Sequence, residues 1–108
     1  MSTFDEREQG FESKFSHDNE LEFRIGARRN RLLGLWAAQL LGIHGVDAES
    51  YARNLAELET HAPGDHHTVI TKVLEDFKQR GIEMSEHRLR RHLDELGKSA
   101  RSQIMTEA

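Results

Sequence analysis

Seven histidines in 108 residues are the first place to look for chemistry, because imidazole both ligates metals and moves protons near neutral pH. Their spacing does not suit a metal. His61, His66 and His67 flank the Pro63-Gly64 turn, and His87 and His92 stand five apart, so no pair forms an HExxH motif or another helical ligand set. They read as exposed side chains near helix ends, and neither a metal nor another cofactor is expected. Hydrolysis needs a nucleophile beside a base and an orienting acid, yet the chain has no Cys, and no Ser lies in a strand-turn-helix context. The eight glycines are scattered singly, with neither a phosphate loop nor a dinucleotide fingerprint. The chain therefore reads as a binding protein rather than an enzyme.

Two groups of residues offer binding chemistry. Arg28, Arg29 and Arg31 put three guanidinium groups within four residues, enough for weak contact with a nucleotide or with a protein partner. Nucleic acid is set aside because an acidic segment lies directly upstream, the net charge is −4, and Trp36 sits in the densest apolar stretch. The expected arrangement is a solvated helix face whose arginines pair with acids. The second group is more unusual. Seven acids stand against Arg7 and Lys14 in residues 1–22, a net charge of −5, and the same segment holds Phe4, Phe11 and Phe15. Spacings of seven and four put those rings on one face of a helix, the pattern of a segment that docks in a groove. In the alternative, helix 1 begins near Asp5 and the rings pack on the rest of the protein. Gly10 and the stretch Ser16-His17-Asp18-Asn19 disfavour a continuous helix in isolation. Residues 1–19 are accordingly expected to be a flexible acidic arm that orders on binding.

The elements that must position these groups are helical. Apolar residues recur at helical spacing wherever they are dense, and no stretch alternates with period two. A first helix is expected from about Glu20 to Leu41, stopped by Gly42, with Gly34 and Ala38 on a face that a neighbouring helix can approach closely. Asp47 is the expected cap of a second helix carrying Tyr51, Ala52, Leu55 and Leu58, which ends before Pro63. Asp65 caps a third, with Ile70, Val73, Leu74 and Phe77, ended by Gly81. Ser85 caps a fourth, striped by Leu89, Leu93, Leu96, Ala100 and Ile104. The expected fold is all-α, a small four-helix bundle over residues 20–108 behind the arm. A chain of this length supports one modest core. Without Cys, a basic-then-apolar leader or a run of roughly 20 apolar residues, it is expected to be cytoplasmic, with no direct membrane insertion.

The stretch TFDEREQGFESKFSHDNELEFRIGARRNRLLGLWAAQLLG, Thr3 to Gly42, resembles the N-terminal half of the alphaproteobacterial zeta subunit, the small inhibitor of the F-type ATP synthase. ARRNRLLGLWAAQLLG is its most distinctive block, and GIEMSEHRLRRHLDEL, Gly81 to Leu96, is similar to the family's last helix. The residues between Ile43 and Arg80 match more loosely. The resemblance implies a four-helix bundle with a mobile N-terminal inhibitory arm that enters the catalytic head at an interface of the alpha, beta and gamma subunits. There it would act as a wedge against ATP hydrolysis. Carried over, Phe4, Phe11 and Phe15 would anchor the arm, and Asp5, Arg7, Glu8 and Glu12 would make polar contacts. The family's FD-RE pattern is kept at Phe4, Asp5, Arg7 and Glu8, while Gly26 and the histidine-rich central loop depart from it. The implied protein is a monomer when free and associates with the membrane-bound synthase when inhibiting. The competing reading is a helical adaptor that docks on another protein through the same arm without inhibiting it.

Overall fold

The structure, a computed structural model, describes the backbone of residues 3–107 and the side chains of residues 18–107. Among the described residues all regular structure is α-helical: α1 Thr3–Leu41, α2 Gly45–His61, α3 His66–Gln79 and α4 Glu86–Glu107. The C-terminal part of α1 is the spine of the bundle. It packs most extensively on α2 and next on α4.

The stop and start signals operate largely as the side chains require. Gly42 and Gly81 take φ of 75° and 71°, the left-handed conformation that ends α1 and α3 without a Cβ clash. Asp65 Oδ1 accepts from the backbone N–H of His67 at 2.9 Å and of Thr68 at 3.3 Å, satisfying donors that the first turn of α3 leaves open. Ser85 Oγ accepts from Arg88 N–H at 3.0 Å and does the same for α4. Asp47 does not cap α2. The helix starts two residues earlier at Gly45, its cap position is His44 with no side-chain hydrogen bond, and Asp47 lies in the first turn. A carboxylate there still faces the positive end of the helix dipole, so the residue type is explained although its position is not that of a cap.

Helix 1 also begins earlier than Glu20. α1 runs from Thr3, passing through Gly10 and Ser16-His17-Asp18-Asn19 without interruption. An isolated arm would have to nucleate, the costly step. A segment joined to a preformed helix only propagates, and one Gly costs about 1 kcal/mol against many Glu, Gln, Arg and Lys residues that favour helix.

The main core gathers Leu33, Ala37 and Leu41 from α1, Leu55 from α2, Val69, Ile70, Val73 and Phe77 from α3, and Leu89 and Leu93 from α4. Each large side chain so buried contributes about 1.5–3 kcal/mol. A smaller cluster of Ile25, Ala100 and Ile104, flanked by Leu21 and Leu32, joins α1 to the end of α4. Trp36, expected in the core, is only half-buried: it meets Phe77 edge-on at 6.0 Å between ring centres and leaves part of the indole at the surface. Gly34 explains the tight α1–α2 seam, since a Cβ on it would lie 2.6 Å from Ala52 Cα.

Candidate functional site

The residues singled out in the arm, Phe4, Asp5, Arg7, Glu8, Phe11, Glu12 and Phe15, have side chains outside the described residues. What the structure does describe is the root of the arm and its attachment. Leu21 packs with Ile25, Ala100 and Ile104, so the helix is held by apolar contact from its sixth turn onward. Across the same seam Arg101 Nη2 donates to both carboxylate oxygens of Glu22, at 3.0 and 2.9 Å. One turn further, Arg28 donates to Gln103 at 2.8 Å and to both oxygens of Glu107 at 2.8 and 3.0 Å. The hydrogen bond to Arg28 holds the Glu107 carboxyl below the usual carboxylate range, against the desolvation that opposes it. The end of the chain is thereby fastened to the root of the arm.

The three clustered arginines do not form one face. Consecutive helical residues project about 100° apart, and their partners lie on different elements. Arg28 faces α4, Arg31 reaches Glu49 on α2 at 3.2 Å in solvent, and Arg29 turns inward. Arg29 is buried, 7% exposed, which departs from the solvated face expected of it. Its Nη2 donates to Glu59 Oε2 at 2.9 Å, its Nε to Asn30 Oδ1 at 3.0 Å, and its Nη1 meets His66 Nε2 at 3.0 Å. A guanidinium only donates, so His66 Nε2 is the acceptor in this contact. Glu59 Oε1 accepts from Gly64 N–H at 2.8 Å, and Asn30 Nδ2 donates to Leu55 carbonyl oxygen at 3.1 Å. Gly26 makes room for this network, because a Cβ on it would lie 2.3 Å from Glu59 Oε1.

This network floors a groove of about 990 Å³ between α1 and α4, with Phe23 and Lys98 on its rim. Its carboxylate, guanidinium and amide already have partners, so its chemistry is that of a lock that closes the α2–α3 corner onto α1. Sequence reasoning missed Glu59 and noted Gly26 only as a departure from the family pattern; the signal lay in a helical glycine three residues before an arginine, a gap the size of a carboxylate. Among the described residues no group of three or more His, Asp or Glu is arranged to hold a metal ion. Tyr51 donates to Asp76 Oδ2 at 2.7 Å, and burial, then that hydrogen bond, push the phenol above its ordinary range.

With this geometry in hand, the comparisons with known proteins bear on the whole chain. The family profile described as ATPase inhibitor subunit zeta matches residues 1–103. A solved structure, described as a solution NMR structure, is similar with a TM-score of 0.68 and 34% identity, covering 82% of this chain and 99% of its own. No curated protein matches. The profile thus spans the arm, the arginine cluster, the buried lock and nearly all of α4, and the chain belongs to the ATPase inhibitor subunit zeta family.

Proposed function

We propose that the chain inhibits ATP hydrolysis by the F-type ATP synthase, inserting its N-terminal arm, residues 1–19, into the catalytic head at an interface of the alpha, beta and gamma subunits. The observation that carries this reading is the family match from residue 1 to residue 103, which makes the arm part of what the family shares. The bundle is in keeping with this division of labour, because among the described residues the buried apolar ones lie at or after Ile25. Phe4, Phe11 and Phe15 anchor the arm, with Asp5, Arg7, Glu8 and Glu12 as its polar contacts. Burial of three phenyl rings contributes about 1.5–3 kcal/mol each, partly offset by ordering of the arm. The inhibitor performs no chemistry. It binds one state of a rotary cycle better than the others, and the strength of inhibition is that difference in affinity.

The chain acts in the cytoplasm as a monomer that joins the membrane-bound enzyme when inhibiting; among the described residues no helix is long and apolar enough to cross a membrane. The test is steady-state ATP hydrolysis by the purified catalytic head with increasing amounts of the full chain, and of a chain lacking residues 1–19. The full chain is expected to stop hydrolysis and the shortened one to fail while keeping its helical circular dichroism. A shortened chain that still inhibits removes the arm from the mechanism. A full chain that binds the head without slowing hydrolysis leaves an adaptor in place of an inhibitor.

A further inference from the structure

A second surface lies away from the arm, where the C-terminal half of α1 meets the first turns of α4. Trp36 of α1 meets His87, Arg88, Arg91 and His92 of α4 around a recess of about 460 Å³, and Leu40 follows Trp36 by about one helical turn on α1. Leu40 is 46% exposed, unusually so for a leucine beside a half-buried tryptophan. The indole lies 4.2 Å from the His92 ring centre to centre, with the planes tilted by 44°. His92 Nε2 is cut off from water and has no hydrogen-bond partner among the described residues, so the wall of the recess contains an uncompensated polar atom.

Arg28, Arg29, Arg31, Arg90 and Arg101 each have a carboxylate within 3.3 Å; Arg88 and Arg91 at the recess, like Arg24, Arg53 and Arg80 elsewhere, have none among the described residues. Arg88 and Arg91 are both exposed. One acid, Glu95, stands at the edge of the recess. Partly exposed indole and leucine beside two unneutralised guanidinium groups is the composition of a protein-binding hot spot: an aromatic anchor that excludes water, and planar cations that take carboxylates in bidentate geometry. A nucleic-acid or membrane surface would call for a broader field of one sign, and the net charge of −4 opposes both.

We propose that this recess is a second docking surface, which takes an acidic segment of the catalytic head with an apolar side chain against Trp36 and Leu40 and carboxylates on Arg88 and Arg91. The proposal rests on the inhibitor reading and adds the partner of the bundle to that of the arm. Two tethered contacts then reinforce each other, since engagement of one raises the effective concentration of the other.

The test compares the full chain with R88E/R91E and with a control of equal charge change, R53E/K78E, at exposed positions elsewhere. Binding to the purified catalytic head and inhibition of its ATP hydrolysis are both measured, after thermal melts show each variant folded. R88E/R91E is expected to raise the concentration for half-inhibition at least tenfold with complete inhibition still reached at saturation, and R53E/K78E to change it less than twofold. Leu40→Ser, which removes apolar contact without touching charge, is expected to weaken binding in the same sense. Equal inhibition by R88E/R91E and the parent overturns the recess and leaves the inhibitor reading standing. A parent that binds without inhibiting, and loses binding in R88E/R91E, overturns the inhibitor reading and keeps the recess. A parent that does not bind the head at all overturns both. The fluorescence of Trp36, the chain's single tryptophan, gives a further check: a response to anionic vesicles or duplex DNA, together with unchanged head binding by R88E/R91E, also overturns the proposal.

Discussion

Glu59 carries more of the fold than any other charged residue described, because its two oxygens hold Arg29 on α1 and the Gly64 N–H at the α2–α3 corner at once. Removing the carboxylate leaves a buried guanidinium without its counter-charge. Glu59→Ala is therefore expected to cost about 3–5 kcal/mol, a large share of the roughly 5–15 kcal/mol that holds a domain together. Glu49→Ala, which opens the exposed Arg31 pair, is expected to cost about 0–1 kcal/mol. Urea unfolding of the two variants checks the contrast; equal losses would mean that the lock contributes no more than a surface ion pair. Tyr51 supplies a pH signature. Its folded pKa is raised above the unfolded value of about 10, so the stabilisation is complete below that pH and drains away as pH climbs through and past it. Melts across the alkaline range are expected to show that decline in the parent and a flatter profile in Tyr51→Phe.

At the scale of elements, the α1–α2 seam depends on the absence of a side chain. Gly34→Val is expected to push the two helices apart and cost about 1–3 kcal/mol by overpacking, because even its Cβ would lie 2.6 Å from Ala52 Cα. Thermal melting measures the loss, and a variant as stable as the parent would show that the seam yields freely. This contact was legible from the sequence as a helical glycine in need of a close neighbour. So were the helix boundaries at Gly42, Asp65, Gly81 and Ser85, since these residues act through their own backbone and nearest neighbours. The beginning of α1 was not, because its helix propagates from contacts made far along the chain. Nor was the inward turn of Arg29: a guanidinium between two others reads as surface until the position of Glu59, thirty residues away, is known. The residues proposed for the arm rest on resemblance and odd composition alone, and their side chains lie outside the described residues.

For the whole molecule, charge and apolar area would compete in the proposed hold of the arm on its partner. Attraction between exposed charges is screened within about 8 Å at physiological salt, while buried apolar area is not, so charge belongs to association and the rings to dissociation. Phe11→Ala with Phe15→Ala is expected to weaken inhibition more than Glu8→Gln with Glu12→Gln, measured as inhibition kinetics at two salt concentrations. Faster release by the Gln pair that persists at high salt would show instead that desolvated ion pairs hold the arm. The continuity of α1 adds a mechanical side to this. Its 39 residues make a rod of about 58 Å at about 1.5 Å per residue, seated at one end among α2 and α4. Load along the rod strains all of its seated contacts together in shear, whereas load across it works as a lever and peels them turn by turn, meeting the Glu22–Arg101 pair first and the Arg28–Glu107 pair next. The molecule is therefore stiff in one direction and yielding in another.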